Sequence, residues 1–228
     1  MISFKGAYYP KNVILYAVFF YVRYTVSYRD LEKIMQERRV TVDHATLNRW
    51  VVKYSSQIAK EAKKKKRLVG TSWRMDETYI KLKGKWVYLY RAVDKSGKTV
   101  DFMLSKARNE AAATHFFEKS IGSNGVPEKV VIDKSGANLA GLTNINIYLF
   151  LMKFWLSFID TLQVKYLNNI VEQNYRFIKR ITKPMMGFKA FHSAAATLDG
   201  IETAHMIRKG QLGQEGIPAH RQFMALAG

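Results

Sequence analysis

Apolar positions in the first sixty residues recur at helical spacing. Asn12 can cap a run in which Val13, Ile14, Leu15, Val18, Phe19 and Val22 fill most of a helix surface, the pattern of a helix buried on several sides. Ser27 with Asp30 forms an S-x-x-D start signal for a second helix, where Leu31, Ile34 and Met35 share one face. After a short break at residues 39–42, Asp43 can cap a third helix with Leu47, Trp50, Val51 and Tyr54 inward. Three short helices in this order suggest a helix-turn-helix unit. From Ser72 the period changes to two: residues 73–82, 85–93 and 99–105 alternate, with turn signals at Lys83-Gly84 and at residues 94–97, which predicts a three-stranded antiparallel meander. Asn109 then caps a helix through about Ser120, residues 122–127 form a loop, and Lys129 to Ile132 make a short strand ending in Asp133. A helical stretch to about Ile159 precedes a short strand near Gln163 to Tyr166. The last long helix begins near Asn168 or Asn169 and carries Glu172.

The order β-β-β-α-β-α-β-α matches a ribonuclease-H-like α/β domain, a mixed sheet flanked by helices, preceded here by a small all-α helix-turn-helix domain. The run Lys63 to Arg67 holds five consecutive positive charges, which repel one another and favour a solvated linker; the alternative is a helix end whose cations complement the dipole. The expected boundaries are residues 1–62 for the helical domain, 63–71 for the linker, 72–212 for the sheet domain and 213–228 for a tail. Residues 145–159 form an apolar, aromatic run. It is shorter than the roughly 20 residues of a membrane span and carries Lys153, so it reads as a buried helix, with membrane contact or a partner interface as the rival. Exposed, it would be an aggregation or dimerisation surface.

Charge narrows the partner. The 228 residues carry 37 Lys+Arg against 18 Asp+Glu, a formal net charge of +19. That is the electrostatic footprint of a nucleic-acid binder, with an anionic membrane surface as the competitor. With no cysteine, thiolate zinc sites, disulfides and thiol nucleophiles are excluded together. The opening residues lack an apolar core followed by a small-residue cleavage site, so the expected location is the cytoplasm. On the third helix, Ala45, Asn48, Arg49 and Lys53 point away from the apolar face, where Asn suits adenine and Arg suits guanine. A solvated helix face is the plainer alternative.

Against this charge, three acids stand in ordered places. Asp76 interrupts an apolar alternating run, although Asp suits strands poorly; Asp133 follows Val130-Val131-Ile132; Glu172 lies on a helix. In the fold above, the three can converge. Glu77 points to the opposite face from Asp76 and is read as structural or solvent-exposed. Carboxylates suit Mg²⁺, and two such ions about 3.5 to 4 Å apart can activate a water or a 3′-hydroxyl for in-line displacement at phosphorus. Arg176 and Lys179, four and seven residues after Glu172, return to its helix face, where a cation can hold DNA phosphate; an exposed ion-pair ladder is the alternative.

The phrases SYRDLEKIMQERRVTVDHATLNRWV, MDETYIKLKGKWVYLYRAVDKSGKTVDFMLS, VIDKSGAN and YLNNIVEQNYRFIKRITKPMMGFKAFHSAAATLDGIETAHMIRKGQ resemble, in order and over nearly the whole chain, the bacterial DDE transposases of insertion-sequence family six. The resemblance implies a triad of Asp76, Asp133 and Glu172 with Lys179 as accessory cation. It also implies Mg²⁺-dependent transfer of transposon ends into target DNA; the expected protein binds terminal inverted repeats with its helix-turn-helix, accepts Mn²⁺ as a substitute and, because two ends must be joined, acts as a homodimer or higher oligomer. Two departures are visible. Between Asp133 and Glu172 lie 38 residues, a little more than the family's spacing, and the family's Asp-His pair after the glutamate is here Asn174-Tyr175, which removes a charge and a titratable ring. The rival expectations are a ribonuclease-H-like nuclease or integrase, and a catalytically inactive, transposase-derived DNA-binding protein.

Overall fold

The computed structural model of the chain describes residues 2–152, 158–164, 169–185 and 187–228, without the side chains of residues 169–174. The chain divides into two compact units, one formed by residues 1–67 with 177–228 and the other by residues 68–176.

The first unit is helical. Helix α1 (Lys11–Arg23) buries Ile14, Leu15, Val18, Phe19 and Val22, as its nearly all-round apolar surface requires. Pro10, rather than Asn12, occupies its N-cap position, because proline pre-sets the backbone for a helix start. Helix α2 (Tyr28–Glu37) opens on a complete capping box: Ser27 Oγ accepts from the Asp30 amide at 3.1 Å, and the Ser27 amide donates to Asp30 Oδ2 at 2.9 Å. Helix α3 (His44–Lys65) is capped by Asp43, whose Oδ1 accepts from the Ala45 and Thr46 amides at 2.9 Å each. It buries Leu47, Trp50, Val51 and Tyr54. The basic run is therefore helical through Lys65 rather than extended from residue 63, with Lys64 paired to Glu61 at 2.7 Å and the cations on the last turn, where the dipole favours them.

The remaining helices of this unit come from the other end of the chain. Helix α7 (Phe191–Arg208) packs on α1 and α3, with Gly200 at the closest approach. A Cβ there would meet Val22 Cγ1 at 2.7 Å and Ser55 Oγ at 2.8 Å. The segment expected to be a tail contains α8 (Ala219–Ala225), whose Phe223 is fully buried and packs on Phe19 with ring centroids 5.3 Å apart. The Ile2 amide bonds the Ala227 carbonyl at 3.2 Å, so both ends of the chain close this unit.

The second unit is built on strands β1 (Ser72–Leu82), β2 (Lys85–Asp94), β3 (Thr99–Ser105), β4 (Lys129–Ile132) and β5 (Asp160–Gln163), in the spatial order β3-β2-β1-β4-β5. The first three form the antiparallel meander, turned at Lys83 and Gly84 with φ of 48° and 79°, the two positive values that a two-residue hairpin needs. Strand β4 runs parallel to β1, and β5 runs parallel to β4. Helices α4 (Glu110–Asn124), capped by Asn109, and α5 (Gly136–Leu151) cover one face, closing a core around Trp73, Met75, Tyr90, Phe116, Phe117, Val130 and Ile132. This is a ribonuclease-H-like mixed sheet flanked by helices. Helix α6 (Asn169–Thr182) starts in this unit and ends in the helical one.

Residues 145–159 depart from the reading as one buried helix. Helix α5 ends at Leu151, residues 153–157 lie outside the described residues, and Ile159 is buried but not helical. Only one face of α5 is covered: Ile145 and Leu149 are buried, while Ile147, Tyr148, Phe150 and Leu151 are exposed. Buried Asn146 pairs with both backbone groups of Ile159 at 3.0 Å, which explains a polar residue on the covered face. Strand β5 lies three residues earlier than predicted, at 160–163. Among the described residues, no helix is long and apolar enough to cross a membrane.

Candidate active site and nucleic-acid face

Register decides where the acids stand. Strands β1 and β4 pair Trp73 with Val130 and Arg74 with Val131, so continuing the parallel register by two residues sets Asp76 level with Asp133. Both are half-buried. Asp76 shares its face with its cross-strand partner Arg91, whose side chain is fully buried. Asp133 sits just past β4, where Ser135 N donates to its Oδ1 at 3.0 Å and Asn138 Nδ2 approaches at 3.4 Å. Its other carboxylate oxygen accepts no hydrogen bond among the described residues.

Glu172 lies on the first turn of α6, and its side chain lies outside the described residues. Three residues further along the helix, Tyr175 is 4% exposed and donates its hydroxyl to the Asp76 carbonyl at 2.6 Å, with the Leu89 carbonyl at 3.3 Å. The departure Asn174-Tyr175 thus brings a phenol that ties α6 to β1 at the residue bearing the first aspartate.

Sequence reasoning missed a second layer. Glu77 is buried, not solvent-exposed: Arg108 Nε donates to its Oε1 and Asn138 Nδ2 donates to its Oε2 at 2.8 Å. Burial alone would lower the Arg108 guanidinium, and the Glu77 carboxylate more than offsets this, holding it above its ordinary value. Tyr90 is pushed up to about 12 by burial and then by the Glu77 charge. Asn138 therefore links the Glu77–Arg108 ion pair, of which only Glu77 is buried, to Asp133. The only sequence signal was its place five residues after Asp133, in the first turn of a helix.

In the helical unit, Ala45, Asn48, Arg49 and Lys53 are all exposed on α3 and Lys179 is exposed on α6; Arg176, the last residue of the sheet unit, is exposed too. Arg49 Nη2 donates to Thr46 Oγ1 at 2.6 Å, and Lys53 lies over the Tyr54 ring at 5.1 Å. Ala45 and Asn48 line a groove of about 760 Å³ together with Arg29 and, from the far end of the chain, Lys189 and Ser193. Stacked Tyr21 and Tyr28 line it too, their centroids 3.9 Å apart; burial pushes Tyr28 up to about 12, so both remain neutral.

A ribonuclease-H-like sheet with one aspartate on its central strand and a second just past the adjoining parallel strand is the frame of an enzyme class that acts on phosphodiesters, and a family model described as a DDE domain matches residues 70–211. The chain is 39% identical over 207 residues, 90% of its length and 88% of the relative's, to the transposase for insertion sequence-like element IS431mec of Staphylococcus aureus. It is 38% identical, with the same coverage, to the transposase for insertion sequence element IS257 in transposon Tn4003 of Staphylococcus aureus. The chain belongs to the bacterial DDE transposases of insertion-sequence family six. Among solved structures, a chain of the simian T-cell lymphotropic virus intasome in complex with PP2A regulatory subunit B56 gamma is similar over 67% of this chain and 58% of its own, with a TM-score of 0.46 and 15% identity.

Proposed function

We propose that this transposase binds the terminal inverted repeats of its insertion sequence and cleaves and transfers DNA strands at Asp76, Asp133 and Glu172. The observation that carries the reading is the parallel pairing of β1 with β4, whose register, continued past Val131, sets Asp133 level with Asp76. The donor set fits a hard divalent cation, since carboxylate oxygens suit Mg²⁺ and one Asp133 oxygen has no donor among the described residues. Asp76 and Asp133 would hold two Mg²⁺ ions, or Mn²⁺, with Glu172 as the third ligand. Bound there, the ions would supply activation of the attacking oxygen and stabilise the leaving one.

The chain's own residues set the rest. The register of β1 and β4 supports a shared site for the two carboxylates, and Tyr175 ties α6 to Asp76 through its carbonyl. Arg176 and Lys179 offer charge to a phosphate, while Ala45, Asn48, Arg49 and Lys53 read the repeat in a major groove. In this reading residues 1–62 recognise DNA, residues 63–71 connect, residues 72–212 perform the chemistry and residues 213–228 follow as a C-terminal segment. Two ends must be joined, so the protein acts as a dimer or higher oligomer on DNA, in the cytoplasm. The exposed apolar face of α5 is a surface compatible with that assembly.

The test is strand transfer of pre-cut transposon ends with Mg²⁺. Asp76→Asn, Asp133→Asn and Glu172→Gln should each lower the rate by on the order of 10³-fold, the equivalent of several kcal/mol of lost charge stabilisation, while repeat binding persists. Unchanged rates would remove the triad assignment. Wild-type binding without any transfer would instead favour a DNA-binding regulator.

A further inference from the structure

Three arginines from three helices converge within the helical unit. Arg23 ends α1, Arg180 lies in the last turn of α6 and Arg208 ends α7, and all three line one shallow cleft with Phe177, Ile181 and His205. Its floor is firm: Phe177 stacks on His205 with centroids 3.7 Å apart and planes within 2°, and His205 is 4% exposed.

None of the three forms an ion pair among the described residues. Arg23 lies over the Tyr24 ring at 5.4 Å, and Arg208 Nη2 reaches His205 Nδ1 at 3.5 Å. A helix dipole accounts for each arginine singly, because cations suit helix C-termini. It does not account for three helices delivering theirs to one cleft. The crowding has a cost: Arg208 is held below the ordinary guanidinium value by burial and then by the charges of Arg23 and Arg180. An anion at the mouth removes that cost, and guanidinium edges match the paired oxygens of a phosphate.

We propose that this arginine cleft is a phosphate site that takes a backbone phosphate of bound DNA. The site rests on the arginines alone, and only the source of the phosphate rests on the DNA-transfer reading.

The test uses the full chain, the triple variant Arg23→Gln, Arg180→Gln, Arg208→Gln, and a charge-matched control, Lys81→Gln, Lys83→Gln, Lys85→Gln, on the exposed β1–β2 hairpin. One arm measures melting in inorganic phosphate against chloride at equal ionic strength. The other measures affinity for a duplex of arbitrary sequence between 50 and 200 mM salt. The triple variant should lose affinity beyond the control by about eightfold at 0.1 M salt, with the log–log salt slope smaller by about one, the contribution of one phosphate. It should also lose any stabilisation by phosphate. Arg180→Gln alone, exposed and without a hydrogen bond among the described residues, repeats the duplex arm should the triple variant melt early in chloride. A triple variant that tracks the control in both arms overturns the site. A difference confined to the phosphate arm leaves a free-anion site and overturns the DNA source. Wild type that binds no duplex overturns the DNA source and the wider DNA reading together, with the phosphate arm still deciding the cleft.

Discussion

The two units solve opposite problems with one chain. The helical unit holds 22 of the 37 Lys+Arg and 8 of the 18 Asp+Glu, a net +14, whereas the sheet unit carries only +5. The sheet unit is continuous in sequence and spends its order on bringing two like-charged carboxylates level. The helical unit is discontinuous, closed by residues from both chain ends, and spreads cations over its surface. A site that gathers acids needs a rigid register and buried support; a surface that meets phosphate needs charge and exposure.

The contrast is most exposed at the contact that joins the two ends of the chain. Gly200→Val should destabilise the helical unit by up to about 3 kcal/mol, because added carbons at Val22 and Ser55 overpack a closed interface. Hydrogen exchange should then rise in α1, α3 and α7 and stay slow in β1 to β3; equal loss in both would mean that the units unfold as one body.

A smaller effect belongs to the sheet unit. Asn138→Ala should raise the Mg²⁺ concentration for half-maximal strand transfer about 10- to 100-fold, as expected for a residue that orients a metal-binding carboxylate. Metal-free duplex binding should not change. Weakened binding at an unchanged Mg²⁺ requirement would assign Asn138 to folding alone.

The smallest belongs to the helical unit. Ser27→Ala should cost about 1 kcal/mol by removing the cap of α2. The same cap holds the Asp30 carboxyl below its ordinary value of 3.8, through the Ser27 amide first and the hydroxyl second. Because the folded state favours the ionised form, this contribution is complete above that value and fades as pH falls through the lower folded value. The gap between wild type and variant in urea unfolding should therefore narrow below about pH 4, and a gap that widens there would contradict the capping box.

Local signals in the sequence were legible where the physics is local. The Ser27 and Asp43 caps, the period-two meander and the short strand before Asp133 all appear at or near their predicted positions. Asp76, Asp133 and the exposed α3 positions were nameable because carboxylates in strands and polar residues on one helix face are visible in one dimension. The tail was misjudged because Phe223 is buried by residues two hundred positions away, and the apolar run because composition does not say how many faces of α5 are covered. Glu77 was half-read: strand alternation gave its face, but nothing local announced Arg108 or Asn138.

By itself, then, the sequence determined the elements, the order of the strands along the chain and the chemical character of both regions, since periodicity, capping and charge act between near neighbours. Tertiary structure alone decided that β4 lies beside β1 in a register that levels Asp76 with Asp133, that Tyr175 ties α6 to that strand, and that three arginines meet at one cleft. Those outcomes depend on contacts between residues far apart in the chain, which only packing of the whole unit can choose.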